Sequence, residues 1–397
     1  MADLIWLTKS LFMNLNSSKR ITEFEKEFAA LNKRSYCVAF PFARTALYFI
    51  LKNLSLKPGD KILLPPITIK AMLDVVLELK LEPIFIDIND KSLIFDLNEL
   101  KKVVEEKKPK VALLTYLFGI APKVDEVVET LKKNNVYIIE DFSQNFNGLS
   151  NQVQFGTIGD VSIYSTSSLK TVDTYGGGMV LTDDLKFKNH LRNDVSSLQN
   201  PSRVNLIRKI LKNLFKNILS AKFIFNVFIF PIIKISFKFK EDSFTRFVGN
   251  RSNFPIKSMP DDWFERYTSI QASVGMQMLS TFQKRDNSRI YIGRKLEELI
   301  NFYSDRPISA NNCQGVFWQF IIYVSDYPEA KKIFLRNRVD TGLTSLVLLS
   351  KLANYKLNFE TPNAEKLYTR GVYLPCYKSL KDKELQSISR AVKELTN

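Results

Sequence analysis

The sequence predicts an α/β protein: a large domain with a mostly parallel sheet covered by helices, followed by a smaller C-terminal α/β domain. Three observations carry this. Helical and β-rich runs alternate from about residue 21 to 185. The β-rich runs are apolar throughout, as strands buried on both faces must be. The chain, at 397 residues, is long enough for two domains with a sizeable core.

In order, "ITEFEKEFAALN" sets an apolar face against charges and reads as a helix. "TALYFILKNLSL" is a second helix, beginning at about Arg44 or Thr45 and stopping at "KPGD". "KILLPP" is a strand, "AMLDVVLELK" a helix, "EPIFIDI" a strand and "LNELKKVVEEK" a helix. "VALLTYL" is a strand, "VDEVVETLKKNN" a helix and "VYIIED" a strand; "VSIYST" and "GGMVLT" add two more. Near the C-terminus "VFWQFIIYV" is a strand and "KELQSISRAVKEL" a closing helix. The expected organisation is an amphipathic N-terminal segment (1–20), a large domain (21–200), a basic apolar insert (201–255), a helix completing the large domain (256–290) and a small domain (291–397). In the first segment, Trp6, Leu7, Leu11 and Phe12 are expected to share one helix face.

The net charge of +16 points to an anionic partner or substrate. Cys37, Cys313 and Cys376 are far apart and odd in number, which argues against a disulfide framework and for a reducing, cytoplasmic compartment. The N-terminus lacks the charged and long apolar regions of a secretory signal. The single histidine, His190, lies in a charged helical stretch and reads as solvated. Histidine triads and His-rich metal sites are thereby disfavoured and no metal is expected. Chemistry must then run on Lys, carboxylates, Tyr, Cys or a borrowed cofactor.

In parallel sheets ligands bind at the carboxyl ends of strands. Asp141 ends "VYIIED" and Lys170 follows "VSIYST", so both belong at that edge. Asp141 could serve a cationic ring nitrogen, or be a helix cap or a solvated strand end. Lys170 could be a nucleophilic amine or a solvated surface group. Ser165, Thr166, Ser167 and Ser168 offer hydroxyls and N–H groups to a phosphate, and Gly176, Gly177 and Gly178 allow close backbone approach or a sharp turn. The helix start at Arg44 and Thr45 is either a phosphate site or ordinary capping.

Six segments in order resemble the DegT/DnrJ/EryC1/StrS sugar aminotransferases, pyridoxal-phosphate enzymes of the type I aminotransferase fold. They are "LKPGDKILLPPITIKAMLDVVLELKLEPIFIDIN", "LTYLFGIAPKVDEV", "EDFSQNFNG", "STSSLKTVDTYGGGMV", "RYTSIQASVGMQML" and "VYLPCYKSLKDKEL". The resemblance implies that Lys170 forms the Schiff base with pyridoxal 5'-phosphate and moves the proton in transamination. It pairs Asp141 with the pyridine nitrogen, sets Gln144 near the ring's phenolic oxygen, and assigns the phosphate to Ser165, Arg44 and Thr45. Dehydrating relatives carry His in place of the lysine, so Lys170 favours amino transfer. The implied reaction moves an amino group from glutamate to a ketosugar, nucleotide-linked or lipid-linked, in a homodimer with active sites at the subunit boundary. Three positions depart from the pattern. Ala43-Arg44-Thr45 replaces Ser-Gly-Thr, Ile69 stands where an aromatic stacks on the ring, and Phe264 stands where an Asn reaches the partner's cofactor.

The resemblance lapses between about residues 200 and 255. Residues 201–250 hold ten Lys or Arg against Glu241 and Asp242. In "NLIRKILKNLFKNIL", Leu206, Ile207, Ile210, Leu211, Leu214, Ile218 and Leu219 fall on one side, opposite or beside Arg208, Lys209, Lys212 and Lys216. The apolar run Ile224 to Ile233 is too short to span a bilayer. Segment 203–240 therefore reads as an interfacial element on an anionic membrane, at the inner face, or else as a dimer or domain contact. Nucleic acid is not an expected partner, since no base-reading motif is present. A scaffold that kept the fold and lost turnover, or a pyridoxal-phosphate enzyme of another reaction type, are the alternative functions.

Overall fold

The structure, a computed structural model, describes residues 2–239, 255–256, 258–301 and 303–396. Lys240, Glu241, Asp242 and Arg246 of the expected insert lie outside the described residues.

The large domain contains β1 (Tyr36–Phe40), β2 (Lys61–Leu64), β3 (Ile67–Thr68), β4 (Glu82–Phe85), β5 (Val111–Thr115), β6 (Tyr137–Asp141), β7 (Leu149–Ser150), β8 (Val153–Gln154), β9 (Val161–Ser165) and β10 (Gly178–Thr182). Seven form one sheet in the order β1-β10-β9-β6-β5-β2-β4. β10 alone runs antiparallel to its neighbours, while β9, β6, β5, β2 and β4 pair in parallel. The sequence reading does not anticipate β1, a short run that closes the sheet beyond β10.

Successive strand residues enter opposite core layers. Ala39, Leu63, Ala112, Leu114 and Ile138 pack in one cluster with Phe24 and Phe28 of the helix Ser18–Leu31. Val38, Phe40, Ile62, Leu64, Leu113 and Ile139 pack in the other, with Leu47 and Ile50 of the helix Ala43–Asn53. Both faces are covered, which is why these strands read as unbroken apolar runs.

The small-domain sheet has the order β11 (Phe320–Tyr323), β14 (Gly371–Leu374), β12 (Gly342–Leu343). Its core includes Leu296, Phe334 and Ile388. The helix Phe282–Ile300 runs through the expected boundary at 290: Phe282 packs in the large core, and Ile292, Leu296 and Ile300 in the small one. A second tie is β13 (Val347–Leu348), which pairs antiparallel with β3 of the large domain.

At the N-terminus α1 (Ala2–Phe12) forms, but its apolar residues do not share one environment. Trp6 is buried, whereas Leu11 and Phe12 are exposed. The helix Arg203–Leu219 divides in the same way. Leu206 and Ile210 join Trp6, Leu15, Ile270 and Val274 in a core cluster, while Leu211 and Ile218 are exposed. The single apolar face expected from periodicity is wider than one neighbour covers, so only one edge of it is buried. A short turn (Lys222–Ile224), a π-helical turn (Phe225–Ile229) and the helix Phe230–Phe239 follow. Among the described residues no single helix is long and apolar enough to cross a membrane; Arg203–Leu219 and Lys222–Phe237 would do so only as a pair bent by 58°.

Candidate active site

β5, β6 and β9 run parallel and end together, which brings Asp141 and Ser165 to one edge. Ser143 links them: its N–H donates to Asp141 Oδ1 at 3.0 Å, and its Oγ accepts the Ser165 N–H at 2.8 Å. Gln144 reaches the segment after β5, where its Oε1 accepts the Phe118 N–H at 2.7 Å. The Ser165 hydroxyl lies 2.9 Å from that of Ser167. Asp141 is buried, and this desolvation pushes its carboxyl above the ordinary carboxylate value, against the opposing hydrogen bonds from Ser143 and the charge of Lys170. A buried carboxylate left in that state would gain from a cationic N–H partner.

Lys170 sits on a turn that several elements hold in place. The residue before it, Leu169, adopts φ 74°, a left-handed conformation disfavoured for a branched side chain. Its N–H donates to Asp173 Oδ2 (3.2 Å), and its carbonyl accepts from Trp318 Nε1 (3.0 Å) and Arg289 (3.1 Å). On the other side, Thr171 Oγ1 donates to Asp286 (2.8 Å) and accepts from Arg289 (2.9 Å). The strained turn is over-determined by its surroundings, as such conformations must be. Lys170 Nζ lies 3.9 Å from the centroid of the Trp318 ring. Burial lowers this amine from its ordinary value to about 7; Asp141 opposes the shift and Arg289 adds to it.

The third piece is the start of the helix Ala43–Asn53, which has no side-chain cap. Gly178 pairs with Phe40 on one side and Ser165 on the other, setting this helix start beside the end of β9. A Cβ on Gly178 would lie 2.5 Å from the Ala43 nitrogen and from the Phe42 carbonyl group, so glycine is required for the approach. At Gly177 φ is 144° and a Cβ would meet Thr166 Oγ1 at 2.3 Å. Gly178 thus serves a backbone-to-backbone approach that positions the helix start, while Gly177 makes room for the side chains of Thr166 and Tyr267.

The structure gathers Asp141, Gln144, Ser165 and Lys170 at one edge, and the side chains of Arg44 and Thr45 make contacts within the protein. Thr45 Oγ1 donates to the Trp263 carbonyl at 2.7 Å. The Arg44 guanidinium lies 3.9 Å from the Phe42 ring centroid and 4.3 Å from that of Trp263. These contacts engage both side chains in the structure, and the helix they open has an uncapped N-terminus whose N–H groups and dipole suit an anion. Ser143, Trp318 and Arg289 escape the sequence reading. Trp318 and Arg289 are more than a hundred residues from Lys170, and no local spacing announces them.

The profile of the DegT/DnrJ/EryC1/StrS aminotransferase family matches residues 4–217 and 265–393. The chain belongs to that family. The match includes nearly all of the basic helix Arg203–Leu219 and lapses only over 218–264, where the helical turns from Lys222 and the helix Phe230–Phe239 lie; pyridoxal phosphate is the family's cofactor. The chain is 29% identical to GDP-perosamine synthase of Escherichia coli O157:H7 over 164 residues, which are 41% of this chain and 45% of that protein. It is 22% identical to the spore coat polysaccharide biosynthesis protein SpsC of Bacillus subtilis (strain 168), over 96% of this chain and 90% of that one. A solved aminotransferase of this family from Brucella abortus superposes with a TM-score of 0.76 at 18% identity, covering 100% of this chain and 95% of that one.

The residues of this family member fit the cofactor. A buried carboxylate suits a ring N–H, an amine lowered to about 7 suits covalent attachment, and the uncapped helix start with the Ser165 hydroxyl suits a phosphate. Ile69, at the start of the helix Lys70–Glu78, is partly buried against two core clusters. Phe264 packs edge-on against Tyr48 and Phe49 within its own chain.

A pH dependence follows. The neutral amine is the reactive form, so attachment of pyridoxal phosphate to the apo-protein is expected to accelerate as pH rises through about 7 and then level off. Stopped-flow absorbance across that range measures it. A rate still climbing toward about pH 10 would show that Lys170 keeps an ordinary lysine pKa.

Proposed function

We propose that this protein transfers an amino group from glutamate to a ketosugar carried on a nucleotide or a lipid, at a membrane surface. The observation that carries the reading is the convergence of a neutralisable lysine and a buried carboxylate on one sheet edge beside an uncapped helix start. The names of the relatives, a perosamine synthase and a spore coat polysaccharide protein, support a sugar acceptor.

Bound pyridoxal phosphate supplies an electron sink for charge developing beside the transferred nitrogen. In the proposed assignment, Lys170 Nζ holds the cofactor and, once released by the donor, takes and returns the proton at the reacting carbon. Asp141 holds the proton on the ring nitrogen. With its Oε1 engaged by Phe118, Gln144 has its amide nitrogen for the ring oxygen. Ser165 Oγ and the first N–H groups of the helix Ala43–Asn53 bind the phosphate. Trp318 closes one side of Lys170 and limits water access to the amine. A homodimer with sites near the subunit boundary is part of the proposal, carried over from the family resemblance.

The test is an absorbance spectrum with pyridoxal phosphate, before and after glutamate. The expected result is a visible band that moves to the shorter-wavelength amine form of the cofactor. A band that ignores glutamate would remove glutamate as donor, and no band at all would sink the assignment of Lys170.

A further inference from the structure

Outside the candidate site, the helices spanning 203–239 and α1 leave much of their apolar surface uncovered. In Arg203–Leu219 the exposed apolar residues are Val204, Leu211, Phe215 and Ile218, spaced to fall along one stripe. Arg208, Lys212 and Lys216 are exposed beside it. Farther on, Phe223, Phe228 and Ile235 are exposed, Phe223 by 72%. On α1, Phe12 is 83% exposed, and Leu4 and Ile5 are also exposed.

The two segments lie far apart in the chain but are fastened together. Asp3 accepts hydrogen bonds from Asn213 Nδ2 (3.3 Å) and Asn217 Nδ2 (2.7 Å), and Arg203 donates to the carbonyls of Ser10 and Met13. Trp6 and Leu15 share a core with Leu206 and Ile210. The unit also touches both sides of the candidate site. Tyr175 Oη, on the segment after Lys170, donates to Asp3 Oδ1 at 2.7 Å. Lys209 Nζ lies 4.7 Å from the ring centroid of Phe42, the residue that opens the helix Ala43–Asn53.

We propose that α1 and the helices of 203–239 form one composite docking surface for an anionic lipid bilayer, built against the elements that carry Lys170 and the phosphate-binding helix start. Charge decides the occupant. Residues 203–239 contain eight Lys or Arg and no Asp or Glu. Pairing this face with its own copy across a two-fold axis would set cations against cations. Aliphatic and aromatic side chains flanked by the exposed cations Arg208, Lys212 and Lys216 suit the headgroup boundary of an anionic leaflet. The 58° bend between the two helical stretches suits a pair lying along the interface. The inference deepens the proposed membrane-surface function by making the N-terminal helix an equal part of the contact. It places the bilayer next to the candidate site, where a keto group on a lipid-borne sugar would be presented.

The test is cosedimentation of the full chain, loaded with pyridoxal phosphate, with vesicles of phosphatidylcholine alone and with about one-third phosphatidylglycerol. Binding is expected only to the anionic vesicles and is expected to weaken with salt. Phe12→Asp and Phe228→Asp should each weaken it about tenfold or more, because each removes one buried aromatic from the contact. Both residues are exposed, and the cofactor's visible band in each variant reports that the fold is intact. Equal binding by wild type and both variants would overturn the proposal, as would binding indifferent to lipid charge. Self-association in the absence of lipid that Phe228→Asp abolishes, without vesicle binding, would assign the face to a second copy and overturn it too. Loss of the visible band in the wild type would count against Lys170 while leaving the vesicle result to stand by itself.

Discussion

Lys170→Ala is expected to lose the visible cofactor band and to lower turnover by at least about 10³-fold, roughly 4 kcal/mol of transition-state stabilisation. The argument is chemical: the residue supplies both the nucleophilic nitrogen and the proton carrier, and no neighbour replaces it. Arg289 is permanently charged and bound to the turn on either side of Lys170. The single histidine, His190, is exposed on the helix Leu185–Ser197. Lys170→Arg should fail equally, since it keeps the charge and loses the attachable amine. The fold of Lys170→Ala should survive, because burial already disfavours the charged amine at this position, whereas Lys170→Arg places a cation there that cannot lose its proton and should melt lower. Spectra, single-turnover rates and thermal unfolding of the three proteins measure this. A visible band or near-normal turnover in Lys170→Ala would end the proposed mechanism.

Asp141→Asn is expected to separate function from stability. Asparagine keeps the shape and can accept the Ser143 N–H bond, but it cannot hold the ring nitrogen protonated through a negative charge. Turnover should fall by about 10²-fold or more, with the cofactor still attached to Lys170. Stability should move the other way. Folding raises the Asp141 carboxyl above its unfolded value, so this group disfavours the folded state once pH exceeds the unfolded value, and that cost is absent at lower pH. Removing the charge relieves the cost at neutral pH, and the melting temperature should hold or rise. Reduced stability together with reduced turnover would instead make Asp141 a structural carboxylate.

Strand and helix order were legible because each strand of the main sheet is buried on both faces and each covering helix keeps a polar side. β1 escaped because "YCVAF" is short and lies between two helices, where only its pairing with β10 identifies it. The expected boundary at 290 falls inside Phe282–Ile300, one continuous helix whose two ends are buried in different cores. No break in periodicity marks that change of partner.

The site divides along the same line. Lys170 and Asp141 could be placed at the sheet edge from sequence because each follows directly from a recognisable strand, Ser165 stood out in the hydroxyl run before Lys170, and Gln144 came with the resemblance. Arg44 and Thr45 were drawn to the phosphate by their position at a helix start, and only the structure revealed that Trp263 and Phe42 engage their side chains. Likewise, periodicity established that 203–219 is amphipathic, yet which edge of its apolar face is covered depended on α1 arriving from two hundred residues away. The sequence by itself determined the order of the elements, the lysine and carboxylate at the sheet edge, and the basic apolar character of the insert, because these follow from local composition and spacing. Only the tertiary structure decided the clamp of Arg289, Asp286 and Trp318 on the Lys170 turn and the union of α1 with the insert, because those contacts join segments whose meeting no local pattern encodes.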